Sequence, residues 1–194
     1  MSASVAGLLL AAGAGTRMGM PKGLLRTKAG TPWVTRAVAA LAAGGCAPIL
    51  AVTGAEAEHV QALVPALAEI VVAADWNEGM GASLRAGLRA LERQAPTASA
   101  VIITLVDTPG VTPETVARLQ QLARSAGPGV LARASYHGVP GHPVLIGRLH
   151  WTGVIETVAG DAGARGYLAE HDVVLVESAD VGSGADIDTP EDLD

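Results

Sequence analysis

The sequence predicts an α/β protein, one domain built on a doubly wound, mostly parallel sheet with helices on both faces. Three observations carry this expectation. Short apolar runs at residues 5–10, 48–53, 69–73 and 100–106 read as strands buried on both faces. Segments with apolar residues at helical spacing separate them, giving the strand–loop–helix order of parallel βαβ units. The chain has 194 residues, 49% of them hydrophobic and 16% charged, enough for one substantial core, and no linker, internal repeat or low-complexity tract divides it.

The first strand breaks into a glycine-rich loop, AGAGTRMGMPKG, at residues 12–23. Gly13, Gly15 and Gly19 can take positive φ and let backbone amides converge on anionic oxygens, while Arg17 and Lys22 supply charge. Pro21 fixes its own φ and biases Met20 away from helix, which predicts an extended segment at Lys22. This is not a Walker A loop, because Gly23 follows Lys22 where that motif needs Ser or Thr. A dinucleotide loop and a plain strand-to-helix turn are the competing readings, and Pro21 stands against the first because it interrupts the helix such a loop opens.

Thr31-Pro32 predicts an N-cap and first helical residue, and Val34, Val38 and Leu41 carry the helix to Gly44. After the second strand, Val60, Leu63, Val64 and Leu67 predict another helix with a break at Pro65. Residues 75–83, DWNEGMGAS, form a polar glycine loop opening a helix with Leu84, Leu88 and Leu91 on its apolar face. The run AVIITLV then delivers Asp107 where the strand stops. An acid at the carboxyl end of a buried central strand is placed to hold a divalent cation over phosphates. Helix capping is its competing role, one that Thr112 before Pro113 already fills.

A helix through Val116, Leu119 and Leu122 and a strand at residues 127–134 follow. Residues 138–145, GVPGHPVL, break the α/β rhythm around His142 before an apolar strand resumes. Residues 160–165, GDAGAR, read as a ligand loop or a capped turn opening a short helix. The last strand spans residues 172–177. In the closing DIDTPED, Asp186 and Asp188 project to one side of an extended segment, so either could join Asp107 around a cation. Asp188 or Thr189 could equally cap a helix beginning at Pro190.

The formal net charge of −6 gives no support to nucleic-acid binding, so an anionic ligand must be held by a local field. Cys46 is the only cysteine, which excludes an internal disulfide and a thiol metal cluster and predicts a buried thiol. No apolar stretch approaches the ~20 residues that span a bilayer, and no Lys/Arg-led signal region opens the chain. A cytoplasmic location is the expectation.

The string LAAGAGTRMGMPKGLL at residues 10–25 closely resembles the signature of the nucleotidyltransferases of molybdenum cofactor maturation, especially the cytidylyltransferase branch. The resemblance runs over almost the whole chain and implies a nucleotide-diphospho-sugar-transferase-like fold. It implies that Leu10, Ala11, Ala12, Gly13, Ala14 and Gly15 line the nucleotide, that Arg17 contacts the triphosphate, and that Lys22 lies near the reacting phosphates. It also implies that Asn77, Gly79 and Ser83 lie against the nucleotide and that Asp107 binds Mg²⁺ (or Mn²⁺), making Arg17, Lys22 and Asp107 the catalytic set. By analogy with sugar-nucleotide transferases, Asp188 is the second metal ligand, with Asp186 its alternative. His142, Asp161 and Arg165 fall on the acceptor side. Two departures are the order Trp76-Asn77, reversed from that branch, and Thr108 where glutamine is common.

The implied reaction joins CMP from CTP to the terminal phosphate of molybdenum-molybdopterin and releases pyrophosphate. The implied partners are a nucleoside triphosphate, a molybdopterin-type acceptor, and transiently a molybdoenzyme or its chaperone, with no nucleic acid and no membrane. The cytosine preference rests on Ala12, whose methyl stands where the guanylyltransferase branch resembles glycine and leaves less room for a two-ring base. The alternatives are a guanylyltransferase on the same acceptor, a nicotine-blue-type NAD(P)H oxidoreductase of similar sequence, and a nucleotide-binding regulator without turnover.

Overall fold

The computed structural model describes residues 4–193. Seven strands form one sheet in the order β3-β2-β1-β4-β6-β5-β7. They are β1 (Val5–Ala11), β2 (Ile49–Thr53), β3 (Glu69–Val72), β4 (Ala100–Leu105), β5 (Leu131–Tyr136), β6 (Val139–Gly147) and β7 (Val174–Glu177). Every residue of β1, β2 and β4 is buried, as their unbroken apolar runs predict, whereas the edge strands β3 and β7 are mostly exposed.

Six helices cover the two faces: α1 (Trp33–Ala43), α2 (Ala57–Gln61), α3 (Met80–Gln94), α4 (Pro113–Ala126), α5 (Trp151–Thr157) and α6 (Arg165–Ala169). One core packs Leu84, Leu88 and Leu91 of α3, Trp151 of α5 and Leu168 of α6 on Leu8, Leu10, Val101 and Ile103. The other packs Val34, Val38 and Leu41 of α1, Val60 of α2, and Val116 and Leu119 of α4 on Leu9, Ala51 and Ile102. Cys46 is buried, and burial pushes its thiol up to about 12. Among the described residues no helix is long and apolar enough to cross a membrane.

Several local expectations change. Thr31 does not cap α1; Pro32 occupies the cap position and no side chain bonds there. The second helix stops at Gln61, short of Pro65, and Leu67 is exposed. Thr112 does cap α4, accepting from the Thr115 amide at 3.2 Å. The Gly/Pro-rich break around His142 is the first half of β6, which runs antiparallel to β4 and β5, and its hairpin with β5 turns at His137-Gly138. Capping near Pro190 also runs in reverse, because the Asp192 carboxylate accepts from the amides of Asp188 and Thr189 at 3.0 and 2.8 Å.

The strand order reverses between β1 and β4: the chain winds outward from β1 to β3, then crosses back to place β4 on the other side of β1. In open α/β sheets such a switch point leaves a crevice at the carboxyl ends of the two strands, where ligands bind. The loop after β1 and Asp107 after β4 flank it.

Candidate active-site cleft

A cleft of about 610 Å³ opens at this point. Its wall includes the expected Leu10, Ala11, Ala12, Gly13, Ala14, Gly15, Arg17, Lys22, Asn77, Gly79, Ser83, Asp107, Asp161, Arg165, Asp186 and Asp188. His142 is the one expected residue that does not line it. Thr16, Trp76 and Met80 do.

The first loop leaves β1 through Gly15, whose φ of 60° is left-handed; a Cβ there would run into the Met20 carbonyl. A single 3₁₀ turn, Thr16–Met18, follows. Pro21 is extended as expected, but Lys22 opens a second 3₁₀ turn, Lys22–Leu24. That turn is fixed by Gly23, which packs closely on Val60 of α2. The Lys22 ammonium is thereby aimed across the cleft, donating to Asp107 Oδ2 at 2.7 Å and Asp188 Oδ1 at 2.6 Å. Burial lowers the Lys22 pKa, but the two carboxylates outweigh it and the net shift is upward, so the amine stays charged.

The second carboxylate arrives from the far end of the chain. The Ile187 amide donates to the Asp107 carbonyl at 2.9 Å, which lays the closing segment beside β4 and turns Asp186 and Asp188 into the cleft on either side of that bond. The Lys22 hydrogen bond lowers the pKa of Asp188, and Arg17 adds to this from 3.1 Å. Arg17 is 68% exposed, so this pair contributes little stability and leaves the guanidinium free to turn to a ligand. Burial, then the charges of Asp107 and Asp188, raise the pKa of Asp186.

The opposite wall is the loop before α3. Trp76–Glu78 forms a 3₁₀ turn, and Gly79, at φ 110°, joins it to α3. A Cβ on Gly79 would stand 2.6 Å from Asp161 Oδ1, so only glycine lets the 160–162 turn close over this loop. Arg85 ties the two together, donating to the Val158 carbonyl at 2.9 Å and reaching Asp75 and Glu78 at 3.4 Å. The N-terminus of α3 thus faces the cleft at Gly79, Met80 and Ser83, where its partial positive charge suits an anion.

Asp107 Oδ1 is buried and has no hydrogen-bond partner. An orphaned carboxylate oxygen beside two further acids fits a hard divalent cation. Among the described residues no three His, Cys, Asp or Glu side chains form a ready-made ligand set. Phosphate oxygens would therefore have to complete the coordination, as is common for Mg²⁺. His142 lies outside the wall; burial, then the Arg133 charge, lower its imidazole to about 4, so it is neutral at ordinary pH.

Sequence reasoning gave Trp76 and Met80 no roles of their own, although both line the cleft.

The MobA-like NTP transferase domain model matches residues 7–174. Nicotine blue oxidoreductase of Paenarthrobacter nicotinovorans is 39% identical over 202 residues, covering 97% of this chain and 94% of that protein. The Mycobacterium sp. strain JC1 homologue of Mycobacterium tuberculosis Rv0371c superposes with a TM-score of 0.83 at 29% identity, over 99% of this chain and 94% of that one. Rv0371c itself, solved in complex with manganese, gives 0.80 at 24% identity over 99% and 96%. Molybdopterin-guanine dinucleotide biosynthesis protein A of Archaeoglobus fulgidus gives 0.67 at 19% over 97% and 95%. The last two likenesses show the shared nucleotidyltransferase fold alone.

Proposed function

The chain belongs to the MobA-like NTP transferase domain family, and from that premise we propose that it transfers CMP from CTP to the terminal phosphate of a molybdopterin-type acceptor. The observation that carries this reading is the Lys22 ammonium held between Asp107 and Asp188 at the mouth of an amide-rich loop. An acceptor phosphate oxygen attacks the α-phosphorus in line, the bond from that phosphorus to the β-phosphate bridging oxygen breaks, and pyrophosphate leaves with the electron pair. Arg17, Lys22 and the amides of residues 13–15 offset the charge on the triphosphate. Asp107, with Asp188 or Asp186, would hold Mg²⁺ or Mn²⁺, which supplies further charge neutralisation when bound. No protein nucleophile is needed. The product would pass to a molybdoenzyme or its chaperone.

A second reading is NAD(P)H-dependent oxidoreduction, favoured by the name of the 39% identical relative. Against it, Glu56, the acid nearest the end of β2, is exposed and pairs with His59 at 3.2 Å, away from the cleft wall where a ribose-binding acid is needed. The test is thermal unfolding with each candidate ligand, since binding to the native state raises the midpoint. CTP with Mg²⁺ should raise it most. A rise with NADPH or NADH, and none with any triphosphate, would overturn the transferase reading.

A further inference from the structure

The Lys22 ammonium stands at the point that both acids reach, 2.7 Å from Asp107 Oδ2 and 2.6 Å from Asp188 Oδ1. That is where a divalent ion shared by the two carboxylates would have to sit. The remaining oxygens offer no second bridge of that kind: Asp107 Oδ1 is buried, and Asp188 Oδ2 faces Arg17 at 3.1 Å. Arg17 is largely exposed and can turn away, whereas the Lys22 side chain is only 14% exposed and is the sole ion-pair partner of Asp107 among the described residues. Asp186 adds a third carboxylate to the same wall, so one close ammonium leaves the local charge short of neutral. A divalent ion corrects that deficit by more than the ammonium does, and a single charge and a double charge repel each other in so small a space.

The stem of Lys22 starts where a second destination is within reach. A Cβ on Gly15 would stand 3.3 Å from the Lys22 backbone nitrogen, so the residue is rooted beside the glycine loop while its head group lies on the acids. Gly23 packed on Val60 fixes the root, and the four-carbon stem leaves the head free to swing between the two.

We propose that Lys22 is an exchangeable counter-ion: it holds the Asp107–Asp188 pair together until a divalent cation takes its place, and the released ammonium turns to the triphosphate at the glycine loop. The second half rests on the nucleotidyl-transfer reading; the exchange of Lys22 for a divalent ion does not. Metal and triphosphate then assist each other, because each favours the same position of one side chain.

The experiment follows Lys22 itself. The chain has two lysines, Lys22 and exposed Lys28, so brief acetylation with acetic anhydride, read by mass spectrometry, reports the first against the second as an internal reference. Saturating Mn²⁺ alone should raise the Lys22 to Lys28 ratio several-fold, and a CTP analogue that cannot be cleaved between the α- and β-phosphates should bring it down again. In parallel, Mn²⁺ is titrated calorimetrically without nucleotide. An ammonium that holds the acids for more than about nine-tenths of the time masks at least about 10-fold of metal affinity, so Lys22→Met should bind Mn²⁺ tighter by that factor. Arg17→Met, which removes an exposed charge from the same acid without opening the bridge, should change it by less than about 5-fold. An unchanged labelling ratio with Mn²⁺ bound, equal or weaker Mn²⁺ binding by Lys22→Met, or no Mn²⁺ binding by the wild type would overturn the exchange. The labelling uses the wild type and decides the matter should Lys22→Met fail to fold. A ratio that rises with Mn²⁺ and falls with no triphosphate would keep the exchange and sink the transferase reading.

Discussion

At the outer end of the sheet the Glu177 carboxylate accepts hydrogen bonds from Ser135 Oγ and from the amides of His137, Gly138, Ser178 and Ala179, all at 3.0–3.2 Å. Beside it Arg118 grips Asp180 through two bonds of 2.7 and 2.6 Å. In the cleft, at the same edge of the sheet, Asp107 keeps a buried oxygen without a partner, Asp186 is pushed toward its protonated form, and Arg165 has no ion-pair partner among the described residues. One group of charges is completed by the protein and the other is not. The first holds the β5–β6 turn in place; the second is arranged for groups that arrive from outside, and it is there that charge is held at a cost to stability.

Substitutions can break this contrast. Asp107→Asn should reduce turnover by roughly 10²–10³-fold, the range for losing one charge-stabilising group, while the melting temperature stays near that of the wild type. Normal activity at saturating Mg²⁺ would remove Asp107 from the site. Arg17→Ala or Lys22→Ala should weaken triphosphate binding by roughly 1.5–3 kcal/mol, and unchanged affinity in both would leave the loop a structural turn.

Glu177→Gln should behave in the opposite way, lowering the melting temperature and leaving nucleotide affinity intact. The pH dependence follows from the same hydrogen bonds. Amide donors, Ala179 first and Gly138 next, lower the Glu177 pKa from 4.5 to about 2. A depressed carboxylate contributes its stabilisation fully above pH 4.5 and loses it as the pH falls towards 2. Amide exchange at His137 and Gly138 should therefore accelerate across that window in the wild type, and unaltered protection would contradict the assignment. The smallest effect is expected at Ala12, which is buried in the core behind the cleft and also lines its wall. Ala12→Gly should relax the preference for CTP over GTP toward the low end of the roughly 1–3 kcal/mol that one small group is worth, without inverting it.

Much of this was legible in the sequence because it is local. The apolar periods of α1, α3 and α4, the buried runs of β1, β2 and β4, and the Thr112-Pro113 cap all depend on neighbours a few residues away. The glycine loops were legible too, since Gly15 and Gly79 are demanded by backbone angles. What resisted is set by distant partners. The direction of β6 is fixed by pairing with β4 and β5, and its prolines hid a nine-residue strand. Lys22 meets Asp107 across 85 residues and Asp188 across 166, so no spacing rule brings the three together.

The central claim is that the cleft handles a triphosphate for transfer. Its most direct test is release of pyrophosphate from CTP, GTP and ATP, each with Mg²⁺, in the presence and absence of molybdopterin. The account predicts acceptor-dependent pyrophosphate release, fastest from CTP and poor from GTP. Equal rates or a preference for GTP would contradict the part assigned to Ala12, and no pyrophosphate from any triphosphate while NAD(P)H is consumed with an oxidised pigment would contradict the claim itself.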